Sequence, residues 1–253
     1  MSYSIGIAGK GGTGKTTIAG MLIRYLIDRE KTPVLAVDAD ANANLNEVLG
    51  LTVTETLGNA REEMKKGVAT GMTKDVFMEM KLSHSIIESK GFDLIVMGRP
   101  EGTGCYCAAN TLLTQYLDRL IENYRYVVID NEAGMEHISR MTTNNIDMLL
   151  IISDSTRRGI LSAARISSLT DELGLHIGKR LLIINQMQET GQDEMMRLAD
   201  EYQLALAGTI PEDGNIRGLD LQGIPTVELD KDSPAFISAY RIFDNIIDAN
   251  KTL

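Results

Sequence analysis

Residues Gly9-Lys10-Gly11-Gly12-Thr13-Gly14-Lys15-Thr16-Thr17 fit the pattern G-x-x-x-x-G-K-[ST] and carry a second lysine that the pattern does not require. The run follows an apolar segment, Tyr3 to Ala8, and opens a helix-like one, Ile18 to Arg29. That is the context in which such a loop cradles phosphate. Glycines let successive backbone N–H groups turn inward around phosphate oxygens. Lys15 then reaches the β and γ oxygens, and the Thr16 hydroxyl becomes a ligand for Mg²⁺. Gly11 through Thr17 are therefore the expected nucleotide cradle. Lys10 is the surplus: a cation beside the cradle stabilises transferring charge best when it sits at the γ-phosphoryl group.

Carboxylates and thiols supply the remaining chemistry. Asp130 ends the buried-looking run Tyr126-Val127-Val128-Ile129, so its carboxylate emerges where it can hold Mg²⁺, usually through water. Asp38 and Asp40 flank Ala39 after Pro33-Val34-Leu35-Ala36-Val37. Both point to one side if the chain stays extended through Asp40; an acidic capping turn before Asn42–Leu49 is the other reading. Cys105 and Cys107 lie in a glycine-rich stretch, Gly98 to Cys107, that leads into a helix-like segment. A helix N-terminus favours thiolate. One C-x-C supplies half the ligands that a structural zinc site needs, and a two-fold dimer would supply the rest. Soft thiolates suit zinc, copper(I) or nickel. Inert buried thiols, a tight C-x-C disulfide and a subunit-bridging iron–sulfur cluster stay open as alternatives. The 3 histidines (His84, His137, His176) are weaker ligand candidates, and the 13 methionines read as flexible core packing.

The elements that must position these groups alternate. Candidate strands are Tyr3–Ala8, Pro33–Val37, Phe92–Met97, Tyr126–Ile129, Met148–Ile152, Arg180–Ile184, Ala205–Thr209 and, more weakly, Thr226–Glu228. Candidate helices are Lys15–Arg29, Thr54–Lys66, Lys74–Glu88, Ala108–Asn123, Arg158–Leu173, Asp193–Tyr202 and Pro234–Ala249. Apolar runs separated by helical stretches predict an α/β fold: a mostly parallel sheet of about seven or eight strands, covered on both faces. The 253 residues, with no linker or repeat, predict a single phosphate-loop domain over 1–253. In such sheets ligands sit beyond the carboxyl ends of the strands, which is where Lys10, Asp38, Cys105, Asp130, Asn185 and Pro211 all fall. Net charge of −10 argues against a nucleic-acid partner. No apolar run reaches membrane-spanning length. The stripe Phe236, Tyr240, Phe243, Ile247 of the last helix reads as core-facing, because balanced charges leave no basic face for a membrane. Two cysteines and no signal segment point to the cytoplasm.

The loop with its early lysine resembles the deviant Walker A ATPases, the group of MinD, ParA and the nitrogenase iron protein. The resemblance implies that Lys10 reaches across a homodimer to the partner's nucleotide. It places Asp38 near the Mg²⁺ shell, gives Asp40 the attacking water, and makes Asn131-Glu132-Ala133-Gly134 a switch segment. Asn185, Pro211, Glu212 and Asp213 match adenine-side residues. Within that group, Gly104-Cys105-Tyr106-Cys107 and Asp130-Asn131-Glu132-Ala133-Gly134-Met135-Glu136-His137 look like the CooC/AcsF nickel-insertion ATPases, with Ala108 standing where close relatives have proline. This resemblance implies an ATP-driven metallochaperone using ATP/ADP and Mg²⁺. Its cargo would be nickel, or zinc in its place, on paired Cys105 and Cys107. Its client would be a nickel enzyme, carbon monoxide dehydrogenase or acetyl-CoA synthase. A MinD/ParA-type positioning ATPase and an iron–sulfur electron-donating ATPase are the rival readings.

Overall fold

Strands form where the sequence is apolar on both faces, and the helices between them cover those faces. The computed structural model describes residues 2–40, 42–67, 71–98, 117–131, 145–188 and 190–248. The strands are β1 (Tyr3–Gly9), β2 (Val34–Ala39), β3 (Ile86–Ser89), β4 (Phe92–Val96), β5 (Tyr126–Asn131), β6 (Asn145–Ser153), β7 (His176–Met187) and β8 (Leu206–Pro211). The helices are α1 (Lys15–Asp28), α2 (Leu45–Leu49), α3 (Leu57–Lys66), α4 (Lys74–Ser85), α5 (Arg157–Glu172), α6 (Gln192–Glu201), α7 (Gly214–Gln222) and α8 (Pro234–Asp248). One 8-stranded sheet runs β3-β4-β2-β5-β1-β6-β7-β8. Every neighbouring pair is parallel except β3 and β4. The expected α/β architecture is present.

Alternation along each strand divides the apolar side chains between two layers. Ile5, Ile7, Val34, Ala36 and Val128 face α1 and α8, whose Leu22, Tyr25 and Phe243 are fully buried. Leu35, Val37, Val127 and Ile129 face the opposite way, against Leu57 of α3 and Phe77 and Met78 of α4. Farther along that side, Ile151 and Leu182 meet Ile160 of α5 and Leu198 of α6. The stripe on α8 is core-facing as expected. Phe236 and Tyr240 stack with ring centroids 3.9 Å apart, and Arg24 of α1 lies 4.6 Å from the Phe236 centroid.

Several boundaries differ from the sequence reading. Thr54 and Glu55 precede α3, which starts after Thr56 caps it by accepting from the Asn59 N–H. α4 stops at Ser85, and the next residues form an antiparallel edge strand, β3, joined to β4 through Lys90-Gly91. Gly91 has φ 89°, a left-handed turn position that needs glycine. Thr226–Glu228 is a 3-10 turn rather than a strand; Val227 packs over Gly20 of α1 instead of joining the sheet. α7 has no counterpart among the expected helices, and β7 begins at His176, four residues before the expected Arg180. Of the helix expected over Ala108–Asn123, residues 117–121 are helical and 108–116 lie outside the described residues.

Asp213 holds the carboxyl-terminal third together. Its Oδ1 accepts from the Asn215 N–H (2.9 Å) at the start of α7. Its Oδ2 accepts from the Ser233 hydroxyl (2.5 Å) and the Ala235 N–H (3.2 Å) at the start of α8. One carboxylate therefore serves two helix N-termini. Asp213→Ala is expected to cost roughly 1–3 kcal/mol in a urea melt, the range for a lost cap plus a lost charged hydrogen bond. An unchanged midpoint and slope would remove Asp213 from the stabilising network.

Candidate functional site

Because β1, β2 and β4 to β8 run parallel, their carboxyl ends share one edge. At the end of β1 the chain turns through residues 10–14 into α1. The Lys10 carbonyl anchors that turn, accepting from the Thr13 hydroxyl (2.9 Å) and from Lys15 Nζ (3.4 Å). Lys15 is buried, whereas Lys10 is exposed. Gly14 caps α1 at φ 86°, and a Cβ there would lie 2.4 Å from Asn185 Nδ2. No side chain caps α1 and its first turn holds no acid, so its N–H groups are left to an anion. At Gly11 and Gly12 an added Cβ would meet nothing within 4 Å, so the cradle is open.

The strand order brings the carboxylates to this loop. β5 lies between β1 and β2, with Asp130 opposite Ile7 on one side and Asp38 on the other. Both acids fall on the face of Val128 and Ala36, the face that α1 covers. Asp130 is 1% exposed, and its Oδ1 is buried without a hydrogen-bond partner. Burial pushes its carboxyl up to about 7; the Thr16 hydroxyl hydrogen bond opposes this, Asp38 adds to it, Lys15 opposes it and Asp40 adds to it. Asp38 is committed to the backbone, accepting from the Leu45 N–H (2.9 Å) and the Asp40 N–H (3.1 Å). Burial pushes Asp38 up to about 6 despite those bonds. β2 ends at Ala39, one residue short of the extension that strict alternation needed. The chain turns there, with Asp40 Oδ1 accepting from the Asn42 N–H (2.8 Å).

These residues fit Mg²⁺ with a nucleotide. The orphaned Asp130 oxygen beside the Thr16 hydroxyl is a buried donor set for a hard cation. Among the described residues no group of three or more His, Cys, Asp or Glu side chains could hold a metal by itself. Phosphate and water would complete the shell, as is usual for Mg²⁺.

The other expected residues are distributed unevenly. Asn185 is 6% exposed and donates from Nδ2 to the Thr13 carbonyl (2.9 Å), tying β7 to the loop. Pro211 ends β8, the Glu212 N–H donates to the Met187 carbonyl (3.0 Å), and Asp213 is engaged in capping. A cavity of about 720 Å³ opens from Thr16 between α2 and residues 223–226, bordered by Glu47 and Asp220. Asn185, Pro211, Glu212 and Asp213 do not line it. Cys105, Cys107, Glu132-Ala133-Gly134 and His137 lie outside the described residues. Asn131, in the sequence only part of a resembling run, is fully buried at the end of β5 and bonded across to β1. An amide closing the strand on the same face as Val127 and Ile129 was the signal.

Comparisons with known proteins agree with this geometry. The model of the CobQ/CobB/MinD/ParA nucleotide binding domain matches residues 5–227. An ATP-binding protein of Methanocaldococcus jannaschii is 39% identical over 248 residues, covering 96% of this chain and 98% of that one. The carbon monoxide dehydrogenase accessory protein CooC of Rhodospirillum rubrum is 32% identical over 250 residues, covering 91% and 90%. Among solved structures, the septum site-determining protein MinD of Pyrococcus horikoshii, complexed with Mg-ADP, superposes with TM-score 0.72. It covers 99% of this chain and 98% of its own at 22% identity, a likeness of fold.

Proposed function

Because the chain belongs to the CobQ/CobB/MinD/ParA nucleotide-binding family, we propose that it is an ATP-dependent metallochaperone whose nucleotide state governs a metal held between two subunits. The observation that carries the metal half is the 32% identity, over nine-tenths of both chains, to a carbon monoxide dehydrogenase accessory protein. The Cys105-x-Cys107 pair provides the chemistry for it. Four thiolates from two copies make a complete site for nickel, or for zinc in its place. The client is a nickel enzyme, carbon monoxide dehydrogenase or acetyl-CoA synthase.

In this reading the loop N–H groups and Lys15 hold the β- and γ-phosphates of ATP. Lys15 leaves the Lys10 carbonyl, a neutral partner at 3.4 Å, for a charged one. Thr16 and Asp130 would hold Mg²⁺, with Asp38 behind them, and the chemistry the ion would supply there is charge neutralisation at the phosphoryl oxygens. Asp40 orients the attacking water. Lys10, exposed at the mouth of the loop, enters the partner's site. The Asn185 amide oxygen and the Pro211–Asp213 turn border the base. β4 ends at Val96 opposite Asp38, and Cys105 follows nine residues later in the sequence. That adjacency in the chain is the route by which hydrolysis would alter metal custody.

Metal analysis after anaerobic purification tests the proposal. Expected are about one nickel or zinc per two chains, lost in Cys105→Ser, with ATP binding retained. Affinity for the metal should differ between ADP and a non-hydrolysable ATP analogue. Metal-loaded monomers, or equal affinity in both nucleotide states of a verified dimer, would overturn it.

A further inference from the structure

β5 reads Tyr126-Val127-Val128-Ile129-Asp130-Asn131 and is buried throughout. By alternation Asn131 lies on the face of Val127 and Ile129, against an apolar layer, and it is 0% exposed. A valine would suit both the strand and that layer. The amide instead leaves Oδ1 buried without a partner, a standing cost to the fold. What it gains is the bond from Nδ2 to the Ile7 carbonyl of β1 (2.9 Å), with a weaker one to Ile129 of its own strand (3.2 Å).

The position of that bond matters. Backbone pairing of β1 with β5 stops at Ile7 opposite Asp130, while β1 continues to Gly9 alongside β6. Asn131 is the first residue of β5 beyond that last pair, and its side chain carries the connection one step further. The connection is made next to Asp130, whose carboxylate meets Thr16, the second residue of α1. α1 follows β1 through the phosphate loop and packs across β1, β2 and β5. Thr16 sits on the β1 side of that loop and Asp130 at the end of β5, so the join between the ends of β1 and β5 helps to set the separation of their ligand atoms.

We infer that Asn131 is a positioning residue for the Mg²⁺ side of the nucleotide site: its cross-strand amide bond fixes Asp130 against Thr16. The inference rests on the ATPase part of the proposed function and is independent of the cysteines. Residues behind a metal's direct ligands typically change metal affinity about 10–100-fold when they are replaced.

Asn131→Val and Asn131→Thr separate positioning from mere packing. Three quantities are measured: melting of the nucleotide-free protein, ADP affinity in chelator, and the Mg²⁺ concentration giving half-maximal nucleotide binding and hydrolysis. N131V is expected to melt close to wild type, because removing the orphaned oxygen offsets losing the bond to the Ile7 carbonyl, and to bind ADP in chelator within about 2-fold of wild type; its Mg²⁺ requirement should rise about 10-fold or more. N131T keeps a hydroxyl donor for the Ile7 carbonyl and should stay within about 3-fold of wild type in that requirement. An unchanged Mg²⁺ requirement in N131V overturns the inference. So does an N131V that fails to fold, or that loses melting temperature and chelator-resistant ADP binding together, because Asn131 is then a structural residue. If wild type itself shows no Mg²⁺-dependent nucleotide binding, the ATPase reading falls and takes this inference with it.

Discussion

Replacing Asp130 with asparagine is expected to stabilise the nucleotide-free protein, by a margin that widens between about pH 4 and pH 7 and levels off above it. The carboxyl of Asp130 is pushed up to about 7, first by burial, and that of Asp38 to about 6, also first by burial. A carboxyl whose folded value lies above its unfolded one binds more protons in the native state across the intervening range. Stability therefore falls as pH rises through that window, here from about 4 to about 7 for Asp130. Each pKa unit corresponds to about 1.4 kcal/mol, so the gain in Asp130→Asn should grow from near zero at about pH 4 to roughly 2–4 kcal/mol above about pH 7. Comparing the two proteins at each pH cancels the many surface carboxylates. Added Mg²⁺ and ADP should reverse the order, since the ion gives the buried charge a partner and the amide cannot replace it. Wild type should gain more melting temperature from Mg²⁺ with ADP at pH 8 than at pH 6, and Asp130→Asn little at either. Parallel stability curves for the two proteins from pH 5 to pH 8 would show that Asp130 is not a strained, ligand-awaiting charge.

That strain could not be read from the sequence. Tyr126-Val127-Val128-Ile129 announced a buried strand, and the acid after it announced a metal ligand. The insertion of β5 between β1 and β2 was not written in any local pattern, because strand order is set by which helices cover which face. It is this order that sets Asp38 beside Asp130 and gives each a desolvated, negatively charged neighbour. Local chemistry was legible where periodicity was strong: β1, α1, β2, β5 and α8 fall close to their expected bounds. β3 was hidden because Ile86-Ile87-Glu88 prolongs the helical pattern of α4, although Lys90-Gly91 carried a two-residue hairpin signal. α7 was missed because it buries no residue fully, begins with Gly214 and carries Gly218, both poor helix formers. Asp213 illustrates a different limit. A proline-led acidic turn suits a base-binding wall and a double helix cap equally well, and only the tertiary approach of Ser233 and Ala235 reveals the cap.

Lys10→Ala should keep nucleotide affinity close to wild type yet lower hydrolysis about 10³-fold, the scale set by cationic groups that reach a transferring phosphoryl from outside the loop. The loop itself does not need the Lys10 side chain. Its turn is anchored by the Lys10 carbonyl, which Thr13 and Lys15 use and which alanine would still present. The side chain is exposed, so its removal should leave melting temperature within about a degree or two. Mixing tests where the lysine acts. Asp40→Asn should bind ATP and pair normally while failing to activate water. A heterodimer of Lys10→Ala with Asp40→Asn then contains one intact site, on the Lys10→Ala subunit, that receives Lys10 from its partner. Two inactive proteins mixed equally should recover about a quarter of wild-type activity, since half the dimers are mixed and each has one working site. Recovery should fall on dilution below the dimer dissociation constant. No recovery, in a mixture shown to form heterodimers, would place Lys10 in its own subunit's site and sever the nucleotide from the thiol pair that needs two chains.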